Sequence, residues 1–258
     1  MNLMICLRGD DDQLPYIKEI ESLGAGIELG SYGMHGIQSA DLWNEKEERH
    51  LKIAESFKGR IAAHGPFIGI EYDHIDCLLG AAIKKRLDMF FDTAVKLKAS
   101  RVILHSGYRS EIDLFSLQDY WYSKNSNYWK REIIRWADAG IQVVLENEIE
   151  KSPDMLIKLI DEINNPYLGI CTDVGHVNLF SKISPSDWVK AVGKRLYHVH
   201  LHDNDGIKDR HWKLGKGNID VQKFLKSVME ISPDAWISLE VDDAIENKMA
   251  DLRSLASK

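Results

Sequence analysis

The chain alternates a short aliphatic run with a longer stretch of helical periodicity, and it does so eight times. The runs are Leu3 to Leu7, Gly26 to Leu29, Arg60 to Ala63, Val102 to Leu104, Gln142 to Leu145, Leu168 to Thr172, Tyr197 to Leu201 and Trp236 to Leu239. Each is short, aliphatic or β-branched, and followed by a polar or glycine-bearing loop, which marks a strand. Between them apolar residues recur at helical spacing, as in Leu14, Ile17, Ile20 and Leu23, or Ile83, Leu87, Phe90, Phe91, Ala94 and Leu97. Leu156, Leu159, Ile160 and Ile163 repeat the pattern, as do Trp188, Val189 and Val192, then Phe224, Leu225 and Val228. Ser152-Pro153 and Ser184-Pro185 read as an N-cap serine before a first-turn proline, and Asp220 as a further cap. Eight strand–helix units without a low-complexity linker predict an α/β protein, a single (β/α)8 TIM barrel in which residues 1–258 form one domain. An open doubly wound sheet is the alternative. Such a sheet usually carries a glycine-rich phosphate loop after its first strand, and Cys6-Leu7-Arg8-Gly9-Asp10-Asp11 does not fit one.

A barrel gathers its catalytic groups at the C-terminal ends of its strands. His64 stands at the end of the third strand, His105 of the fourth, Glu146 of the fifth, Asp173 of the sixth with His176 just after it, His200 of the seventh and Glu240 of the eighth. The seventh strand places His198, His200 and His202 on one face, because strand side chains alternate, and the loop beyond it carries Asp209 and His211. Imidazole and carboxylate are ligands of zinc, manganese and iron. Massed in one mouth, such groups destabilise one another unless cations join them. The plainer alternative for the seventh-strand region is a polar surface loop whose histidines are satisfied by hydrogen bonds. A net charge of −7 argues against a broad nucleic-acid surface. No apolar run reaches the roughly 18 residues of a membrane span, and the N-terminus does not read as a signal peptide, so a cytoplasmic protein is expected. Cys6, Cys77 and Cys171 are too far apart for a thiolate zinc cluster and imply no disulfide framework.

Several segments together resemble the xylose-isomerase-like barrel superfamily, which includes sugar and sugar-phosphate isomerases and epimerases as well as endonuclease IV. They are His64-Gly65-Pro66-Phe67, Leu145-Glu146-Asn147, Cys171-Thr172-Asp173-Val174-Gly175-His176, His198-Val199-His200-Leu201-His202-Asp203, Leu239-Glu240, and the run from Asp209-Arg210-His211 through Gly215-Lys216-Gly217 to Asp220. The isomerases and epimerases imply one divalent metal, commonly manganese, with magnesium or zinc as alternatives, held by Glu146, Asp173, His200 and Glu240. By that resemblance Glu146 and Glu240 move protons next to a substrate carbonyl, through an enediolate that the metal stabilises. His64, His105, His176, Asp209 and His211 then bind a small sugar or sugar phosphate, and Lys216 with its flanking glycine amides holds a phosphate.

Endonuclease IV implies another use of the same residues. Three zinc ions would be held by His64, His105, Glu146, Asp173, His176, His200, Asp209, His211 and Glu240, for cleavage at abasic DNA. The chain departs from that pattern at His105-Ser106-Gly107, where endonuclease IV has His-Pro-Gly, and at Glu148-Ile149-Glu150, whose acids would face a phosphate backbone unfavourably. The isomerase or epimerase reading is therefore preferred. A sugar-binding barrel without activity is a third possibility, but a binder has no need of two opposed carboxylates. Phe67 and Ile68 would wedge into a base stack or cover a sugar pocket. Trp121, Tyr122, Tyr128 and Trp129 would stack on a sugar, form a contact in a homo-oligomer, or anchor a helix to the barrel. Nothing in the sequence settles whether Arg8 and Glu28 point into the pocket.

Overall fold

Every strand pairs in parallel with the next, and the last pairs with the first, so the sheet closes into a (β/α)8 barrel. The computed structural model describes residues 1–8, 10–30, 32–33 and 40–257; of the residues quoted above, Gly9 and Lys258 at the end of the expected domain lie outside them. The strands are β1 Asn2–Leu7, β2 Gly26–Leu29, β3 Ile61–His64, β4 Arg101–His105, β5 Gln142–Glu146, β6 Leu168–Asp173, β7 Leu196–Leu201 and β8 Trp236–Leu239. The helices are α1 Ile17–Ser22, α2 Ala40–Ser56, α3 Cys77–Lys96, α4 Ser110–Leu114, α5 Gln118–Asp138, α6 Asp154–Ile163, α7 Val174–Phe180, α8 Pro185–Val192, α9 Val221–Ile231 and α10 Ile245–Ala256.

Two local expectations are corrected. Leu14 does not share one α-helix with Ile17 and Ile20: Asp11–Tyr16 forms a 3-10 turn containing Pro15, and Leu14 is exposed. Pro153, not Ser152, is the N-cap of α6, and the Ser152 hydroxyl donates to Asp154 instead. Ser184 and Asp220 do cap α8 and α9, accepting from the amides of Asp187 and Lys223.

Strand alternation builds two cores of different character. Leu3, Ile5 and Leu7 pack outward in the core that the helices cover, whereas Met4 meets Ala62, Ile103, Val144 and Cys171 inside the barrel. Each buried aliphatic side chain contributes roughly 1.5–3 kcal/mol, and Arg101 closes this inner layer by stacking 4.0 Å from the Trp236 ring centroid. Two residues further along the inward face, the lining becomes ionisable. Cys6 sits beside Glu28, His105 beside Glu146, and Asp173 beside His200 in the strand register. Ile27 and Leu29 belong to the outer core, so Glu28 between them points inward, and it is almost fully buried. The aromatic residues of α5 anchor that helix: Trp121 and Trp129 are buried, Tyr128 packs 4.8 Å from Tyr72, and the Tyr122 hydroxyl donates to Glu162 of α6.

Candidate metal centre

His200 is the hub of the mouth. Its Nδ1 lies 3.1 Å from Glu146 Oε1 and 3.0 Å from Glu240 Oε2, with Asp173 Oδ2 at 3.9 Å. One ligand atom from each of these four residues lies within 4.8 Å of the others. Glu146 and Asp173 end β5 and β6, His200 is the penultimate residue of β7, and Glu240 directly follows β8, so neighbouring parallel strands carry them to one level. Asp173 also caps α7, accepting the His176 amide at 2.7 Å, and both its oxygens face His202 Nε2 at 3.1 Å.

Four imidazoles, His64, His176, His200 and His211, share one arrangement, in which an outer nitrogen is tied to a fixed acceptor and the inner nitrogen faces a carboxylate of the cluster. His64 donates from Nδ1 to the Gly65 carbonyl at 3.0 Å and turns Nε2 to Glu146 Oε2 at 3.1 Å. His176 donates to the Asn147 carbonyl at 2.8 Å and turns Nε2 to Asp209 at 3.4 Å. His211 donates to the Glu240 carbonyl at 2.8 Å and turns Nε2 to Asp209 at 2.9 Å. His105 departs from the arrangement: its Nδ1 lies 3.1 Å from Glu148 without an aligned hydrogen bond, and its Nε2 lies 3.4 Å from Glu146. His200 gives Nε2 to Glu28 Oε1 at 3.0 Å. The outer acceptor fixes the tautomer, as it does for metal-bound histidines.

A neutral imidazole held this way points a lone pair at a carboxylate oxygen, which is repulsive unless a cation stands between them. In the metal-free chain, protons take that role. Burial opposes charge on His176, but Asp173, Asp209 and Glu146 outweigh it and raise its pKa well above the ordinary value. Burial likewise opposes His211, yet Glu240 and Asp209 push it up to about 10. The donor set fits a divalent cation on the same grounds, since buried Glu240 Oε2 and His200 Nδ1 have no aligned hydrogen-bond partner.

A pH signature follows from this competition. A histidine whose folded pKa is raised stabilises the fold fully below the unfolded value of about 6.5, and that contribution is lost as pH rises through about 10. Metal binding displaces the same protons and strengthens over the same interval. Thermal unfolding is expected to show a larger metal-induced rise in Tm at about pH 8.5 than at about pH 6. Equal rises at both would mean that these imidazoles do not bind the metal.

All nine residues expected as ligands are brought together, since His176, Asp209 and His211 form one triad, His64, Glu146 and His200 another, and His105 touches Glu146. The cavity above them measures about 310 Å3 and is lined in addition by Arg8, Glu28, Phe67, Asp242 and Lys248. Phe67 stacks 4.5 Å from the His105 ring and walls this cavity.

The phosphate cradle expected at Gly215-Lys216-Gly217 is corrected. Both glycine amides donate to Asp203 Oδ2, at 3.0 and 2.9 Å, and Lys216 lies 4.7 Å from the Trp212 ring. The glycines serve the backbone: Gly215 has φ +80, and a Cβ on Gly217 would come within 2.0 Å of the Asn204 carbonyl oxygen. The expectation that Glu148 and Glu150 both face the mouth is corrected too. Glu148 faces His105, whereas Glu150 is buried, accepts from the Ser106 hydroxyl at 2.5 Å, and is pushed up to about 8 by burial and by Glu148. Arg8 does reach the rim, bound to Asp242 at 3.0 Å.

Asn147 and Lys248 were not among the expected site residues, and Glu28, whose direction the sequence left open, points into the mouth. Asn147 acts through its main-chain carbonyl, and Lys248 arrives from the last helix, so neither carries a local pattern.

The family described as xylose isomerase-like TIM barrel matches residues 17–258. The uncharacterized protein MJ1311 of Methanocaldococcus jannaschii is 28% identical over 211 residues, 77% of this chain and 71% of that protein. A probable endonuclease 4 of Mycobacterium leprae is 24% identical over 180 residues, 65% of this chain and 68% of that protein. Among solved structures, the TTHB071 protein of Thermus thermophilus, soaked with ZnCl2, superposes with TM-score 0.75 at 24% identity, covering 100% of this chain and 98% of its own. A D-tagatose 3-epimerase-like protein superposes with TM-score 0.78 at 22% identity, covering 100% and 96%. At these identities the superpositions speak for the fold. Among the described residues no helix is long and apolar enough to cross a membrane.

Proposed function

The chain belongs to the family of xylose isomerase-like TIM barrels, and from that premise we propose that it is a divalent-metal-dependent isomerase or epimerase of a small sugar or sugar phosphate, working in the cytoplasm as one domain over residues 1–258. The observation that carries this reading is the placement of Glu146 and Glu240 at 3.1 and 3.0 Å from the same atom, His200 Nδ1, beneath a cavity of about 310 Å3. Glu146, Asp173, His200 and Glu240 would hold the metal. A divalent cation there supplies Lewis acidity to a substrate carbonyl and its neighbouring hydroxyl. Glu146 ends β5 and Glu240 follows β8, three strands further round the barrel. One carboxylate takes the proton from the carbon beside the carbonyl, and the other returns a proton to the opposite face. His176 and His211, held from behind by main-chain carbonyls, orient substrate oxygens, and Phe67 keeps bulk water from the reacting carbon. The likeness to a D-tagatose 3-epimerase-like protein supports the choice of substrate class.

The test is a panel of ketoses, aldoses and their phosphates incubated with metal-loaded protein in deuterated water. Deuterium is expected at the carbon next to the carbonyl of one panel member, together with its isomer or epimer. No exchange into any of them, with metal bound, would overturn the reading.

A second reading is favoured by the four anchored imidazoles with His105 beside them, which offer more ligands than one metal uses. It is a trinuclear zinc phosphodiesterase acting at abasic DNA, in line with the likeness to a probable endonuclease 4. The burial of Glu150 removes part of the electrostatic objection to it, while Glu148 at His105 and Asp242 on the rim keep the mouth acidic. Elemental analysis of protein purified without chelator separates the two readings. About three zinc ions per chain, with cleavage of an abasic duplex, would replace the first by the second.

A further inference from the structure

Lys248 of α10 lines the same cavity, is 5% exposed, and among the described residues its ammonium makes one hydrogen bond, a long one of 3.5 Å from Nζ to the Cys6 carbonyl. Among the described residues no carboxylate oxygen lies within 4.0 Å of that Nζ, so the lysine is not part of an ion pair. Arg8 stands beside it in the cavity wall, but its guanidinium is engaged by Asp242 at 3.0 Å. An ammonium group has three donors and is costly to bury without partners. Here one donor has a weak acceptor, and the others face a space large enough for a sugar.

We propose that Lys248 is a specificity residue that binds an anionic substituent of the substrate, a phosphate or a carboxylate, so that the protein acts on an acidic sugar in preference to a neutral one. This rests on the isomerase or epimerase reading for the identity of the sugar and on Lys248 alone for the anion. The geometry divides the cavity. The metal ligands occupy its floor from β5 to β8, and Lys248 stands with Cys6 and Arg8 at the end of β1. A ligand with a carbonyl at one end and an anion at the other would span the two. An ammonium is a compact point charge that serves phosphate and carboxylate alike, and the two sources are separated by experiment.

The test is calorimetric titration of the full chain, loaded with the metal it carries on purification. Inorganic phosphate is the first probe, followed by a pentose 5-phosphate, the corresponding pentonate and the free pentose. Lys248→Met is expected to weaken phosphate binding by about 10–100-fold, the usual loss for one hydrogen bond to a charged group, while Lys248→Arg retains most of it. The wild-type protein is expected to bind the pentose 5-phosphate or the pentonate at least about tenfold more tightly than the free pentose, and the tighter of the two identifies the anion. Unchanged phosphate binding by Lys248→Met would overturn the proposal, because the metal site alone would then hold the anion. Equal affinity of the wild type for the acidic and free pentoses would also overturn it, and that comparison needs no folded variant. Loss of phosphate binding in Lys248→Met without turnover of any sugar would leave the anion site standing and remove the reaction. Turnover of neutral sugars without acidic preference would do the reverse.

Discussion

Glu146→Gln is expected to lower sugar turnover by about 10²–10⁴-fold, the usual contribution of a positioned acid or base. The substitution keeps the shape of the side chain and removes its charge, so the loss reports chemistry more than packing. Both oxygens of Glu146 are engaged: Oε1 faces His200 Nδ1 at 3.1 Å, while Oε2 faces His64 Nε2 at 3.1 Å and His105 Nε2 at 3.4 Å. Burial opposes ionisation of Glu146, but His200 and His105 more than compensate and hold its pKa well below the usual carboxylate range. It is therefore ionised, and a Gln amide can neither accept a proton nor balance those imidazoles. Glu240→Gln is expected to cost a similar amount. The informative measurement is solvent exchange from each epimer separately, with the metal content of each variant determined in parallel. If two bases serve opposite faces, each variant still exchanges the proton of one epimer while failing to convert it. Unchanged turnover in both variants, with metal bound, would remove Glu146 and Glu240 from the chemistry and favour a barrel that only binds its ligand.

Glu28→Ala is expected to destabilise the protein by about 3–5 kcal/mol, the cost of removing one partner from a buried charged pair, and to weaken metal affinity by about 10–100-fold. Glu28 Oε1 accepts from His200 Nε2 at 3.0 Å, and Oε2 accepts from His198 Nε2 at 3.0 Å and from the Ser238 hydroxyl at 2.6 Å. Removing the carboxylate leaves the buried His200 Nε2 donor without an acceptor and His198 Nε2 and the Ser238 hydroxyl with each other, 2.8 Å apart, and frees the His200 ring to rotate. Burial lowers the His198 pKa to about 4, despite its bond to Glu28, so this imidazole is neutral at physiological pH and loses a single hydrogen bond. His200, which faces three carboxylates, carries the larger consequence. Denaturant unfolding of Glu28→Ala and Glu28→Gln, with metal titration of each, checks both parts. A loss below about 1 kcal/mol in Glu28→Ala, within the range of ordinary surface changes, would mean that Glu28 does not position His200. Glu28→Gln keeps one acceptor oxygen and is expected to fall between the wild type and Glu28→Ala.

The strands and the site residues differ in how far the sequence discloses them. Strand positions are legible because burial on both faces demands short aliphatic runs, and each observed strand matches its expected run to within one residue at either end. The residues that end those runs are legible for the same reason: His64, His105, Glu146, Asp173 and Glu240 interrupt an apolar pattern at the one level where a barrel opens to solvent. Helix starts are less so. Ser152-Pro153 has the composition of a cap, yet the chain turns one residue later.

What lies beyond the sequence is contact between residues far apart in it. Gly215-Lys216-Gly217 looks like an anion loop until Asp203 is seen to take both its glycine amides. Glu148 and Glu150 are alike as letters, yet one faces a histidine and the other is buried near neutrality beside Ser106. The tautomers of His64, His176 and His211 depend on main-chain carbonyls that every residue possesses and no motif marks. Lys248 stands 242 positions from the Cys6 carbonyl it touches. Periodicity and residue type act over a few neighbours, and they determined the barrel and the ring of imidazoles and carboxylates at its mouth. Charge balance, hydrogen-bond partners and the cationic wall depend on which distant groups the closed barrel brings within a few ångströms, and only the tertiary structure decided those.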